Sequence, residues 1–420
     1  MTAQSPELAL FGGAPAVPKT LRHFVHPQFD SLAEEAVRRQ LHEAISIYDA
    51  SGVYSRIEMA WSRLTGRDYV LSVNSGTNAL LSMYFGLAME PGSEVIVPAY
   101  NFFAAATPLF VLGMRPVLAE CDDNGNLDID RVKACIGPFT AAVCVTHLWG
   151  FPSRLSELQC LCERHRIALL EDASHAHGAE FDRMPVGTFG TAAAWSLQGK
   201  KIIAAGEGGF LATDSLDLFE RAILLGHHNR RALAQVASPT LAPFAPTGLG
   251  MNLRMHPLGA SLVEYQLSAF EKRRIELREV AQYLITELRK LDCLEVPTWP
   301  LGTQPSWYAL PLKLCARDNQ QVARERFVEA LHAEGALEVD IPNTTRCLHR
   351  YHSFSPGTLL PLPSSSPARI GDPEGIPKAE LYESRVFKMP VFYGDLRFKY
   401  ADAYLEAFNK VAHSLFKLGI

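Results

Sequence analysis

Two lysines, Lys200 and Lys201, stand in the run Gln198-Gly199-Lys200-Lys201-Ile202-Ile203-Ala204-Ala205-Gly206-Glu207-Gly208-Gly209, directly after a β-rich stretch. A lysine near the ends of buried strands is short of water. Desolvation lowers its pKa and frees the amine as a nucleophile for a carbonyl; the plain alternative is two exposed lysines in a loop. Asp172 closes another β-rich stretch, in Glu171-Asp172-Ala173-Ser174-His175-Ala176-His177-Gly178. A carboxylate there needs a cation or a hydrogen-bond donor. A protonated pyridine nitrogen would serve, as would a helix N-terminus or an internal salt bridge. Asn74-Ser75-Gly76-Thr77 opens a helix-like run, and backbone amides at such a start can cradle a phosphate or simply cap the helix. Pro98-Ala99-Tyr100-Asn101-Phe102-Phe103 offers three aromatics at a strand end, as a wall for a flat ring or as core packing. His175 and His177 are two residues apart, not the four of a helical zinc pair, and no third ligand is near, so no metal is expected.

Taken together, an anion cradle, an aromatic wall, an acid for a pyridinium nitrogen and an amine for an aldehyde are the parts that hold pyridoxal 5'-phosphate (PLP). Rival cofactor motifs are missing. There is no Walker A sequence, and Gly248-Leu249-Gly250 has Leu253 where a dinucleotide fingerprint has its third glycine. Glu120-Cys121-Asp122-Asp123-Asn124-Gly125 resembles a calcium loop only until Arg131, which occupies the place of the closing glutamate.

The elements that must position these residues alternate. Strand-like runs at 69–73, 94–97, 116–120, 142–146, 167–171 and 193–197 are separated by helix-like segments. One such segment is 154–165, with Leu155, Leu158, Cys162 and His165 at helical spacing. Such alternation predicts an α/β fold with a mostly parallel sheet covered on both faces, and ligands of such sheets sit at the carboxyl ends of the strands. Residues 208–213 read as a further strand that need not be parallel. A long helical stretch over 258–288 follows Pro257. Beyond a proline-rich linker at 297–305, strands at 307–314 and 337–341 and helices at 320–334 and 400–416 predict a smaller α+β C-terminal domain. Residues 356–377, rich in Pro, Ser and Gly, read as a surface loop. The first 50 residues read as an irregular N-terminal arm, residues 51–290 as the large PLP-binding domain and 291–420 as the small one.

Composition narrows the class. The 420 residues are 48% hydrophobic and 20% charged, with 40 basic and 45 acidic residues mixed along the chain. That is a globular composition, with no basic stripe for nucleic acid and no apolar stretch long enough for a membrane span. The N-terminal sequence lacks the basic start of a secretory signal. The eight cysteines are scattered without a CxxC pair and read as reduced thiols of a cytoplasmic protein.

At this point the sequence resembles the DegT/DnrJ/StrS family of PLP-dependent aminotransferases, which act on nucleotide-linked keto-sugars and keto-cyclitols. The likeness runs over nearly the whole chain. Its segments are SGTNAL (75–80), EVIVPAYNF (94–102), EDASHAHGA (171–179), SLQGKKIIAAGEGG (196–209) and GMNLRMHPL (250–258). It implies the fold type I architecture of aspartate aminotransferase, in sugar or antibiotic biosynthesis, and a homodimer with shared active sites. It places the Schiff-base lysine on Lys201, by its spacing to Gly206, and the partner of the pyridine nitrogen on Asp172. Phe102 would stack on the ring and His175 would lie near its phenolic oxygen. Gly76, Thr77 and Ser196 would contact the phosphate, Gln198 falls where many members carry His, and Asn252 would reach the neighbouring subunit's phosphate. The implied reaction moves an amino group from glutamate or glutamine to a keto-sugar or keto-cyclitol. The alternatives are a PLP-dependent dehydratase, disfavoured because dehydrating members tend to replace the lysine with His, and a non-catalytic PLP-binding regulator. The family's usual Gly-Pro is absent, with Ser51-Gly52-Val53-Tyr54-Ser55 in its place, in a segment that helps line the substrate pocket of relatives.

Overall fold

Strand-forming runs that are apolar throughout, rather than alternately, need cover on both faces, and they receive it. In the computed structural model, which describes residues 7–19, 21, 24, 26–315, 320–355, 358, 360–362 and 366–420, eight strands form one sheet. Their order is Tyr69–Val73, Gly209–Thr213, Ala192–Ser196, Ala168–Asp172, Thr140–Thr146, Glu94–Pro98, Arg115–Ala119, Arg369–Ile370. The 209–213 strand runs antiparallel to both neighbours, and the other pairings are parallel. Val95, Ile96 and Val97, and Ala192, Ala193 and Ala194, are fully buried in sequence. Helices Gly76–Gly86 and Leu155–His165 pack on strands of this sheet. Helix Gly52–Thr65 supplies Trp61, which stacks on Phe210 at 4.5 Å and meets Trp195 edge-on. Burial of a side chain of that size contributes about 2–3 kcal/mol.

The register sets the rim on which ligands would sit. Val73 pairs with Gly209 and Gly209 with Ser196. Ala194 pairs with Asp172 and Asp172 with Thr146. The residues following four strands, and those preceding the antiparallel 209–213 strand, are thereby gathered along one edge.

The second, smaller sheet has the order Leu294–Glu295, Leu310–Leu314, Val386–Met389, all antiparallel. Helices Gln320–Ala333 and Arg397–Ala412 accompany it. The expected long helix is two, Pro257–Ser268 and Phe270–Leu288, broken at Ala269. A short strand, Thr345–Cys347, pairs with Tyr100–Phe102 of the large sheet's rim and ties the C-terminal part to it.

Three expectations are corrected. The first 50 residues are not wholly irregular: Ser31–Glu43 is a helix whose first turn is capped by the Asp30 carboxylate, which accepts the amides of Leu32 and Ala33. Asp before such a turn, with Glu34 inside it, is a helix-start signal that the glycines and prolines nearer the N-terminus overshadow. Residues 337–341 are not a strand, because only Asp340 forms a bridge, to Lys388. The 356–377 stretch is not all loop, since Arg369–Ile370 adds the sheet's edge strand beside Val117 and Leu118; residues 356, 357, 359 and 363–365 lie outside the described residues. Among the described residues, no helix is long and apolar enough to cross a membrane.

Candidate active site

At the carboxyl rim of the large sheet is a cleft of about 640 Å³, a size suited to a cofactor with a small substrate. Of the residues singled out in the sequence, Gly76, Thr77, Phe102, Asp172, His175, Ser196, Gln198 and Lys201 all line it, as does Lys200. Asn252 does not: it is exposed elsewhere on the surface, its Oδ1 accepting the Arg254 amide at 3.3 Å.

The lysine sits in a loop built by backbone bonds. The Lys201 amide donates to the Gln198 carbonyl at 2.8 Å, Gly199 to Gly206 at 3.0 Å, and Ala205 to Leu197 at 2.8 Å. Gly206 has φ of 82°, a left-handed turn that glycine makes without a Cβ penalty. This closure sets the interval between Lys201 and the glycine-rich block in this chain. The two lysines are thereby told apart. Lys200 is exposed, whereas Lys201 is half-buried with its Nζ 4.9 Å from the Tyr308 ring centroid. Burial lowers the Lys201 pKa to about 8, with Lys388 and Lys200 adding to the fall and Asp172 opposing it.

Asp172 is 5% exposed. Its Oδ1 accepts the Ser174 amide at 3.1 Å, and among the described residues it has no ion-pair partner. Burial raises its pKa, against the pull of Ser174 and Lys201. The neighbouring Glu171 does different work. It is fully buried and accepts the amides of Gly187, Phe189 and Gly190 at 2.7–2.9 Å, together with the His147 imidazole at 3.2 Å. These bonds outweigh the upward push of its burial and lower its pKa. One acid of the Glu171-Asp172 pair is thus spent on the scaffold, and the other faces the cleft.

The anion cradle is the start of helix Gly76–Gly86. Ser75 caps it by accepting the Asn78 amide at 3.1 Å, and the Gly76 and Thr77 amides make no hydrogen bond within the helix, as first-turn donors do not. A Cβ on Gly76 would lie 2.5 Å from the Ser196 Cβ, so only glycine lets the two walls approach this closely. Phe102, 36% exposed, leans on Phe103 with ring centroids 4.3 Å apart. His175 is buried. It stacks in parallel on Tyr308 at 4.1 Å and on Trp149 at 5.6 Å, and its Nδ1 accepts the Trp149 amide at 3.3 Å. Desolvation, with Lys201 and Lys388 near, holds its pKa well below the ordinary value. The ring is therefore neutral, with its proton on Nε2.

The sequence reading overlooked other cleft residues: Asn101, Thr146, Trp149, Tyr308, Asp340 and Lys388. Trp149 was within reach of the same strand-end rule, because it follows the 140–146 strand. Asp340 and Lys388, paired at 2.8 Å, come from the C-terminal part and carry no local motif.

A buried acid lacking a cation, across a cleft from an amine of lowered pKa, with an open helix start between two strand ends, is an arrangement that PLP completes. The residues fit that group, and the fold with this site defines a PLP-dependent transferase. The model of the DegT/DnrJ/EryC1/StrS aminotransferase family matches residues 35–355, and the chain belongs to that family; it is a PLP-dependent aminotransferase. It is 30% identical over 344 residues to L-glutamine:2-deoxy-scyllo-inosose aminotransferase of Streptomyces kanamyceticus, covering 80% of each chain. It is 27% identical to dTDP-3-amino-3,4,6-trideoxy-alpha-D-glucose transaminase of Streptomyces venezuelae, over 86% of this chain and 89% of that one. In structure it resembles 3-amino-5-hydroxybenzoic acid synthase, with a TM-score of 0.78 at 22% identity, covering 97% and 99% of the two chains; that likeness speaks to the fold.

Proposed function

We propose that the enzyme takes an amino group from glutamine or glutamate and gives it to the ketone of a cyclitol or sugar, in two half-reactions at one cleft. The observation that carries this reading is the pairing of Lys201 with Asp172 in a single cleft. The relatives named above support the substrate classes, as their names specify a glutamine donor with an inosose and a dTDP-linked sugar.

Bound PLP supplies an electron sink for charge that develops on the amino-bearing carbon. The protein's residues do the rest. Asp172 takes the ring nitrogen as its missing cation, since a buried carboxylate and a pyridinium each favour the other's charged form. Gly76, Thr77 and Ser196 hold the phosphate, and Phe102 fixes the ring plane. His175, neutral and clamped between two aromatic rings, offers its Nε2 proton to an acceptor oxygen. Gln198 shapes the loop by accepting the Lys200 amide at 2.9 Å. Lys201 would anchor the cofactor, and its amine is the group that would take a proton from the amino-bearing carbon and return it.

Residues 51–290 form the unit that holds the cofactor in this reading, residues 291–420 the unit that covers it through Asp340 and Lys388, and residues 1–50 the arm. The enzyme works as a homodimer in which Asn252 completes the partner's site, which accords with its place outside its own cleft. All eight cysteines are free, which supports a cytoplasmic setting.

The test is a half-reaction. Glutamine or glutamate added to the purified, cofactor-loaded enzyme should bleach its visible absorbance and leave pyridoxamine phosphate. Lys201→Ala should lose both the absorbance of the anchored cofactor and the conversion, and borohydride should fix the label on Lys201 in the wild type. Label on Lys200, or no conversion with either amino acid, would reject the assignment.

A further inference from the structure

Beside the reaction cleft lies a second cavity of about 180 Å³. Lys200, Tyr308 and Lys388 line both spaces, so the two share a wall. The group that the transfer reaction leaves unused is Arg273, on helix Phe270–Leu288, which is 5% exposed and lines this cavity. Its Nη1 donates to the Ile202 carbonyl at 2.7 Å and to the Gln266 side-chain oxygen. The guanidinium lies 4.9 Å from the centroid of the Tyr393 ring. Among the described residues Arg273 forms no ion pair, and its Nε and Nη2 make no hydrogen bond.

Burying a guanidinium is costly, and among the described residues its two hydrogen bonds and the Tyr393 ring answer that cost without a paired carboxylate. The carboxylates nearby are engaged elsewhere. Glu276, one turn along the helix, accepts the Gly394 amide at 3.0 Å. Glu338, in the cavity wall, accepts the Tyr404 hydroxyl, and Asp340 pairs with Lys388 at 2.8 Å. The imidazole in the wall, His26, is neutral. Its Nε2 donates to the Lys201 carbonyl at 2.8 Å and its Nδ1 accepts the Tyr393 hydroxyl at 2.9 Å, and burial lowers its pKa to about 4.

With Nη1 occupied, the open edge of Arg273 is the one formed by Nε and Nη2. That edge grips a carboxylate through two parallel hydrogen bonds. Phe24, Leu277 and Trp307 supply an apolar lining for a short carbon chain. We propose that this cavity is a binding site for a small organic carboxylate, held in two-point contact by Arg273 and assisted by the exposed Lys200. The site adjoins the catalytic loop, because Arg273 and His26 bond the backbone carbonyls of Ile202 and Lys201.

The test is calorimetric titration of the cofactor-loaded enzyme with butyrate, and separately with inorganic phosphate. Butyrate carries no amino group and loading fills the phosphate cradle, so the result does not depend on the transfer reaction. One saturable butyrate site is expected. Arg273→Lys keeps the charge but loses the fork and should weaken binding about tenfold or more. Leu277→Phe, which adds bulk to the cavity wall and leaves Arg273 itself unchanged, should abolish binding and serves if Arg273→Lys does not fold. Equal butyrate affinity in both variants, no saturable heat, or phosphate binding tighter than butyrate would overturn the proposal. So would a butyrate-soaked crystal with the carboxylate away from Arg273.

Discussion

At Lys201 two influences oppose each other, and their balance is measurable. Burial drives the amine toward neutrality while the Asp172 carboxylate holds the proton on it, with a result near 8. In the cofactor-free protein, competitive labelling with an amine reagent should therefore give the Lys201 peptide a titration midpoint of about 8, below the ordinary lysine value of about 10.4. Removing the opposing charge should move that midpoint further down, so Asp172→Asn should label more at neutral pH than wild type. A midpoint that rises in Asp172→Asn would reverse the assigned sign. This residue pair stood out in the sequence because Asp172 directly follows one strand-like run, Lys201 lies in the loop after another, and both are of the type the chemistry requires. The role of Tyr308, which stacks on His175 and lies under the Lys201 amine, was not legible. No local pattern separates it from any other aromatic in a strand-like run.

The strands and the helices after them do the positioning, and their tolerances are tight. Gly76 begins its helix against the end of the 192–196 strand, where an added Cβ would meet the Ser196 Cβ at 2.5 Å and its Cα at 2.9 Å. Backbone on one side and a strand end on the other leave little room to yield. Gly76→Ala should cost about 1–3 kcal/mol of stability from overpacking, read as a lower urea midpoint at unchanged slope. It should also weaken PLP affinity, because the displaced amides are those of the cradle. A stable Gly76→Ala variant that binds PLP as tightly as wild type would show that the helix start does not form the cradle. The alternation of strands and helices, and a ligand rim at the strands' carboxyl ends, were legible because strands buried on both faces read as short apolar runs between amphipathic helical segments; the order of the strands within the sheet was not. Elements fixed by distant partners did not follow. The Arg369–Ile370 strand exists because an edge beside Val117 was open to it, and Asp340 is held by Lys388 rather than by a strand of its own.

At the scale of the whole molecule, Asn252 is the one proposed site residue that its own chain leaves outside the cleft. Exposed apolar side chains, Leu249 and Met251, stand in its own loop, and exposed apolar groups that cluster mark contact surfaces. If a second copy covers this face and receives Asn252 at its phosphate, two differently damaged chains should repair each other. Asn252→Asp would set a carboxylate against the partner's phosphate and disable that partner's site by like-charge repulsion, while Lys201→Ala disables its own. In a two-fold dimer carrying one chain of each kind, one site keeps both an intact Lys201 and an intact Asn252, and the other has neither. Hetero-oligomers isolated through two different affinity tags should then recover about half of the wild-type turnover per dimer, although each parent homodimer is inactive. Recovery requires that the sites be shared. An inactive hetero-dimer formed from two inactive parents would confine each site to a single chain, and an active Asn252→Asp homodimer would remove Asn252 from the site.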